Sequence, residues 1–116
     1  MSELTCIQNV STPDQAAGEL WIADGRFIAP PEQPESVRII DGQGGWFLPL
    51  AIDLCTRLRE PGASHKASIA SETRAAAMSG VGTVCVPPDS SPVVDQPAVV
   101  DWILDRAVGM DAQVLL

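Results

Sequence analysis

Ionisable side chains recur at every second position after a short apolar segment in the middle of the chain. They are Asp53, Cys55, Arg57 and Arg59. Because side chains alternate between the two faces of a β-strand, an extended backbone here predicts all four on one face. A thiol is a conceivable zinc ligand, whereas a guanidinium is a permanent cation without a lone pair for a metal. Hydrolytic zinc sites usually have three protein ligands, so Cys55 alone does not make one.

Metal-free nucleophilic catalysis has little support in the sequence. His65 is the only histidine, and no Gly-x-Ser-x-Gly turn is present. A lone loop histidine is expected to be solvated. Cys55 would lack a base, and we interpret it as a small cysteine buried in the core. The three cysteines, Cys6, Cys55 and Cys85, are widely spaced, which favours a reduced cytoplasmic protein over a disulfide framework.

The charge of the chain argues against two classes of partner. The 116 residues include 15 Asp and Glu against 7 Lys and Arg, for a formal net charge of −8. Nucleic acids and anionic membrane surfaces both attract clustered cations, and here one lysine, Lys66, accompanies scattered arginines. The longest near-apolar run, 46–52, is far shorter than the ~20 residues of a membrane helix. We expect neither nucleic acid nor a membrane as a partner.

The first 48 residues are predicted to form a small β-rich domain. Asp24-Gly25 lies between two short apolar runs. This predicts a tight hairpin, because both central residues of such a turn need positive φ. A proline-rich loop follows, and residues 37–40 are predicted as a third strand. The glycine-rich segment 41–45 is predicted as a turn, since no Gly-Lys-Ser/Thr follows to make a phosphate loop.

From residue 49 onward, strand and helix patterns alternate. The predicted elements are a strand at 50–54, a helix at 67–79 that stops at Gly80, a strand at 81–86, a helix that opens at Pro97 and ends at Gly109, and a strand at 113–116. This order predicts a parallel sheet with right-handed crossovers and with both faces covered. Because the chain stops at a strand, we expect a truncated piece of a larger α/β protein rather than a small complete domain.

Three segments together resemble one known family. The first reads Leu48-Pro49-Leu50-Ala51-Ile52-Asp53-Leu54-Cys55-Thr56-Arg57-Leu58-Arg59-Glu60-Pro61-Gly62, the second spans 69–77, and the third reads Pro88-Asp89-Ser90-Ser91-Pro92-Val93-Val94-Asp95. They resemble the dihydroorotases of the amidohydrolase superfamily, which read Pro-Gly-Phe-Ile-Asp-x-His-x-His-Leu-Arg-Glu-Pro-Gly and Pro-Asn-Thr-x-Pro-Val-x-Asp. The resemblance implies an α/β fold: strands of a small β-sandwich domain at 1–48, then the N-terminal part of a (β/α)8 barrel at 49–116.

The departures from the family pattern fall on its metal and substrate positions. The resemblance implies that two histidines hold the catalytic zinc where this chain has Cys55 and Arg57. It also implies that Arg59 and the residue at position 89 bind the substrate carboxylate. Asp89 replaces the family's asparagine there, and an ionised carboxylate cannot donate a hydrogen bond and repels an anion. We therefore treat these four positions as vestigial and expect Arg57 and Asp89 to pair with each other.

The resemblance and these departures imply a non-catalytic dihydroorotase homologue without a cofactor. Its expected role is that of a cytoplasmic structural subunit for aspartate carbamoyltransferase in pyrimidine biosynthesis. The expected partners are the catalytic subunit of that enzyme and further copies of the chain. An alternative is an active zinc-dependent cyclic amidohydrolase with a shifted metal site, since zinc can make water nucleophilic near neutral pH. A third reading is a complete, small acidic binding module.

Overall fold

The computed structural model describes residues 4–34 and 36–116. The chain divides into two compact units, at 1–49 and 50–116, and both sheet and helix are present. In the described part of the chain, no helix reaches the length and apolar character that a membrane span requires.

The first unit is a four-stranded sheet. Its strands are β1 (Leu4–Thr12), β2 (Gln15–Ala23), β3 (Arg26–Ile28) and β4 (Val37–Trp46). They lie in the order β3-β2-β1-β4, and β1 is antiparallel to β2 and parallel to β4. The predicted hairpin is confirmed, because Ala23 pairs with Arg26 and both turn residues have positive φ, 51° at Asp24 and 71° at Gly25.

The prediction of a turn at 41–45 is wrong, because that segment lies inside β4. Its pairing with β1 shifts between Asp41 and Gly45, where Gln43 and Gly44 have φ of 54° and 75°. The Asp41 carboxylate holds this irregularity in place by accepting hydrogen bonds from Asn9 Nδ2 (3.0 Å) and from the Gln43 backbone N–H (2.9 Å). The glycines therefore allow a bulge, and the strand continues beyond it.

The second unit confirms the predicted alternation. Its elements are β5 (Ala51–Asp53), α1 (Ile69–Met78), β6 (Val81–Cys85), α2 (Pro97–Ala107) and β7 (Gln113–Leu115). The three strands are parallel in the order β5-β6-β7. Helix α1 starts at a reciprocal cap, where Ser68 Oγ accepts from the Ser71 N–H (3.1 Å) and Ser71 Oγ accepts from the Ser68 N–H (2.9 Å).

One hydrophobic cluster holds the helices against this sheet. Its buried members are Leu58, Ile69, Val84, Ile103 and Val114. Leu58 comes from the segment after β5, so its burial in the core anchors that segment. The prediction that every strand is covered on both faces is wrong for β5, whose three residues are all exposed at an edge of the described sheet.

Candidate functional site

Three of the four predicted site residues, Arg57, Arg59 and Asp89, line a cavity of about 220 Å³ in the second unit, and Cys55 is not part of its lining. Its walls come from the segment after β5, which contributes Arg57 and Arg59, and from the segment after β6, which contributes Asp89 and Ser91. Both segments follow the carboxyl ends of parallel strands. Loops at that end of a parallel sheet are where α/β proteins usually bind ligands.

An ion pair between Arg57 and Asp89 spans the two segments. Arg57 Nε and Nη2 both lie 2.6 Å from Asp89 Oδ2. The hydrogen bond to Asp89, then the charge of that carboxylate and of Cys55, raise the pKa of Arg57 above its ordinary value. The two side chains are 52% and 46% exposed, so water screens the pair and its contribution to stability is modest. The predicted pairing of these residues is confirmed.

Arg59 lines the same cavity with a different backbone conformation. Its φ is 66°, in the left-handed region, and its side chain is exposed. Arg59 forms no ion pair with any residue that the structure describes. The cavity therefore holds one ion-paired guanidinium, on Arg57, and one guanidinium, on Arg59, that is open to an anion.

Two sequence interpretations around Cys55 are wrong. The strand that was expected to carry Asp53, Cys55, Arg57 and Arg59 on one face ends at Asp53. A local contact ends it: the Asp53 carboxylate accepts a 2.9 Å hydrogen bond from the Cys55 backbone N–H, which lowers the pKa of Asp53. Cys55 is exposed rather than buried in the core. His65 is exposed in its loop, as expected.

The zinc ion that the resemblance implies does not fit the side chains present. Arg57 stands at one expected ligand position, and its guanidinium offers only donors. Its positive charge also repels a divalent cation. Among residues 4–34 and 36–116, no three His, Cys, Asp or Glu side chains come together as a metal site would require.

Glu60 is a positioning residue to which the sequence reasoning gave no role. Its Oε2 accepts a 3.0 Å hydrogen bond from the Ile69 backbone N–H at the start of α1. Its Oε1 lies 3.8 Å from Arg106 Nε on α2. A carboxylate at a helix N-terminus satisfies a free N–H group and interacts favourably with the helix dipole. Glu60 thus ties the segment beside Arg59 to both helices.

Gly62 fixes the separation between the two segments of the site. Its φ is 102°, and a Cβ at this position would lie 2.5 Å from the Ser91 carbonyl oxygen. Only glycine allows the segment after β5 to pass this close to the backbone that follows Asp89. Both Glu60 and Gly62 belong to the Leu-Arg-Glu-Pro-Gly motif of the sequence, but the motif does not show which partners its members contact.

Comparisons with known proteins place these features in a family context. Residues 44–115 match the family model described as "Dihydro-orotase-like". The chain is 42% identical over 104 residues to a dihydroorotase-like protein of Pseudomonas aeruginosa, covering 87% of the chain and 24% of that protein. It is 43% identical over 77 residues to a dihydroorotase of Deinococcus radiodurans, covering 66% and 18% of the two chains. A dihydroorotase of Anaeromyxobacter dehalogenans is 34% identical over 115 residues, covering 92% and 27%. The chain thus spans about a quarter or less of the relatives' length.

Proposed function

The chain belongs to the dihydro-orotase-like family, and from this premise we propose that the protein is a non-catalytic dihydroorotase homologue. In this proposal it is a structural subunit that assembles with the catalytic subunit of aspartate carbamoyltransferase in pyrimidine biosynthesis. The observation that carries the proposal is the ion pair between Arg57 and Asp89. It occupies positions that the family resemblance gives to a zinc ligand and to a substrate-binding residue.

The loss of a metal ligand removes the usual source of a nucleophile. Hydrolysis or closure of a cyclic amide at neutral pH needs an activated water, which a zinc ion supplies by lowering the pKa of bound water to about 7. Arg57 cannot hold that ion, because its guanidinium is always protonated and has no lone pair for a metal. The chain's one histidine, His65, is exposed in a loop and offers no substitute within the described cavity.

The replacement of the family's asparagine by Asp89 also supports a non-catalytic role, because it weakens binding of the substrate carboxylate. An asparagine amide donates a hydrogen bond to a carboxylate, whereas the carboxylate of Asp89 only accepts. Asp89 is engaged by Arg57 at 2.6 Å. Only Arg59 remains to attract an anion at the cavity. The charges of Arg57 and Asp89 compensate each other. In this proposal, one ion pair within the protein replaces a contact to the metal and a contact to the substrate.

The framework around the cavity is built by residues other than the substituted ones. Glu60 joins its segment to α1, and Gly62 packs against the backbone at Ser91. A protein with well-connected loops around a cavity that lacks the reactive groups is suited to a role that uses its surface. This contrast supports a structural subunit over a catalyst.

The rival function is an active zinc-dependent amidohydrolase with a shifted metal site. Two of the similar proteins are named dihydroorotase, at 43% and 34% identity, and this favours retention of the activity. Its ligands would come from elsewhere in the full-length protein, with Cys55 or Asp53 as local candidates.

Metal content and turnover of the full-length protein distinguish the two functions. We expect less than stoichiometric zinc and no measurable turnover of dihydroorotate. Returning imidazoles with Cys55→His and Arg57→His, together with Asp89→Asn, should increase zinc uptake. A matched control carries Ser64→His and Arg74→His, which also adds two histidines and removes one cation, at exposed positions that do not line the cavity. Stoichiometric zinc with turnover in the unsubstituted protein would establish the rival.

Assembly is tested by sedimentation velocity with the aspartate carbamoyltransferase catalytic subunit of the same organism. We expect the two proteins to sediment together and the carbamoyltransferase activity to rise on mixing. Arg57→Ala should leave both results unchanged, because the proposed role does not use the cavity for chemistry. Separate sedimentation with unchanged enzyme activity would contradict the structural role.

A further inference from the structure

A second, apolar groove lies beside the site on the surface of α2. It has a volume of about 210 Å³ and is lined by Pro61, Pro92, Ala98, Val99 and Trp102. None of these side chains carries a charge. The groove lies between the first helical turns of α2 and the two proline-containing loops, and it shares only Pro61 with the lining of the Arg57–Asp89 cavity.

One face of the tryptophan in this groove is covered by an arginine side chain. The Arg106 guanidinium lies 3.8 Å from the centre of the Trp102 ring, and Arg106 Nε lies 3.8 Å from Glu60 Oε1. One face of the indole is therefore covered by a cation that is itself restrained. An aromatic surface that is already ordered loses little conformational entropy when it binds, and Trp is the residue type most enriched among binding hot spots.

The apolar lining of the groove, together with its size, favours a side chain over a metabolite. Pockets for small molecules are roughly 300–1,000 Å³ and contain a few polar groups that orient the ligand. This groove is smaller than that, and its lining is almost wholly apolar. Its dimensions suit one leucine-sized group inserted between the proline rings and the indole.

The charges along α2 indicate which residues of a partner would flank that apolar side chain. Ala98, Asp101 and Asp105 follow each other at spacings of three and four, so they form one stripe beside the stripe of Val99, Trp102 and Arg106. Both aspartates are exposed. The groove thus has an acidic border on the side of Asp101 and Asp105, opposite Arg106, and an acidic surface on a second copy of this chain is a poor match for that side.

We propose that this groove is a docking site for an extended segment of a partner protein that inserts one leucine-sized apolar side chain between Pro61, Pro92 and Trp102. Lysine or arginine residues next to that side chain contact Asp101 and Asp105. The inference does not depend on the proposed function, because it uses neither the Arg57–Asp89 pair nor the family resemblance.

The test uses the synthetic peptide Ac-Gly-Gly-Leu-Lys-Lys-Gly-amide, monitored through the indole N–H resonances of the full chain. We expect the Trp102 resonance to move, while those of Trp21 and Trp46, which lie in the first unit, stay in place. The peptide with Glu-Glu in place of Lys-Lys should bind about fivefold more weakly, as the loss of two exposed ion pairs implies. The peptide with Ala in place of Leu should bind at least about tenfold more weakly.

Two sets of substitutions separate the apolar and the charged contributions. Ala98→Phe fills the groove from an exposed helix position, so we expect about tenfold weaker binding with an unchanged Tm. Asp101→Asn with Asp105→Asn should abolish the preference for the basic peptide and keep the preference for leucine over alanine. Trp102 itself is left intact, because it packs against the hydrophobic core.

Three results would overturn the proposal. The first is a Trp102 resonance that does not move at millimolar peptide concentration. The second is an equal response to the leucine and alanine peptides. The third is a Trp102 resonance that moves with protein concentration alone, in step with dimer formation in sedimentation experiments, because the groove would then be covered by a second copy of the chain.

Discussion

Gly62 is the residue at which the two segments of the site come closest. An added Cβ would lie 2.5 Å from the Ser91 carbonyl oxygen and 2.9 Å from Ser91 Cβ, and the φ of 102° disfavours any side chain. We expect Gly62→Ala to lower the free energy of unfolding by about 2–4 kcal/mol, from strain and overpacking together. Gly80→Ala is the matched control, because φ there is also positive at 84° but nothing lies within 4 Å of the new Cβ.

For Gly80→Ala we expect a loss of only about 1 kcal/mol, from the backbone conformation alone. Urea denaturation of the two variants gives both values. Equal losses would mean that the contact with Ser91 contributes nothing and that the two segments are held together by other groups.

The carboxyl group of Asp41 is the clearest titrating reporter in the first unit. Hydrogen bonds from the Asn9 amide and then from the Gln43 N–H lower its pKa below the ordinary value. A carboxyl whose pKa is lowered by folding stabilises the fold above its unfolded pKa of about 3.9, and that stabilisation is lost as the pH falls through the lowered value. Protonation of Asp41 should therefore weaken the bulge in β4 only under acidic conditions.

We expect Asn9→Gly to raise the pKa of Asp41 towards its ordinary value. Glycine keeps the positive φ of 55° at this position and removes only the side-chain donor. Carbon-detected NMR of the aspartate carboxyl groups measures the midpoint directly. Asp53 is the internal control, because its own lowered pKa depends first on the Cys55 N–H. An unmoved Asp41 midpoint, or a parallel shift of Asp53, would contradict the assignment.

The pairing of charged side chains was easier to predict from the sequence than the residue at which a strand ends. Arg57 and Asp89 were expected to pair because opposite charges replaced a metal and an anion, and they do. Cys55 was expected to be buried on a continuing strand, but the strand ends at Asp53 with the Cys55 N–H bonded to its carboxylate. Such a local side-chain contact competes with the sheet and leaves no trace in an alternating pattern.

At the scale of elements, the sequence predicted the ends of helices well where a capping residue or a proline determines them. Both helices begin close to their predicted positions, α1 at the Ser68 cap and α2 at Pro97. Strand β1 was not predicted, because most of its side chains are polar or only partly buried and its pairing with β4 joins residues more than 30 positions apart. Long-range pairing of this kind is decided by tertiary context.

Glu60 links the segment after β5 to α1 and α2, and its substitution should destabilise mainly the start of α1. We expect Glu60→Gln to lower the free energy of unfolding by about 1 kcal/mol, since the charge facing the helix N-terminus and Arg106 is lost while an acceptor oxygen remains. Glu60→Ala should lower it by about 2 kcal/mol, because the Ile69 N–H then loses its acceptor. Urea denaturation measures both losses.

Hydrogen exchange at the Ile69 amide measures the effect of the same substitutions on the start of α1. The exchange rate should increase more in Glu60→Ala than in Glu60→Gln. Asp111→Asn is a suitable control, as it removes one exposed carboxylate of the same unit. If Ile69 exchanges at the same rate in all three variants, Glu60 does not position the helix.

At the scale of the whole molecule, the distribution of apolar residues departs from that of a fully covered fold. The second unit buries a cluster of five residues, while the side chains of Leu50, Ile52 and Leu54 are 64%, 62% and 79% exposed around β5. Strand β5 is also an edge of the sheet that the described residues form. Exposed edge strands of apolar sequence are common sites of association between chains.

We therefore expect this 116-residue chain to self-associate through β5 in a concentration-dependent way. Ile52→Lys places a charge on the edge strand and should shift the sedimentation coefficient towards that of a monomer, because an inserted lysine opposes strand pairing. Met78→Lys is the matched control: it removes an apolar side chain that is 82% exposed and adds the same charge, but on α1. Its sedimentation should match that of the unsubstituted chain. If both variants dissociate equally, net charge controls the association and β5 does not, and if neither changes, the contact lies on another surface.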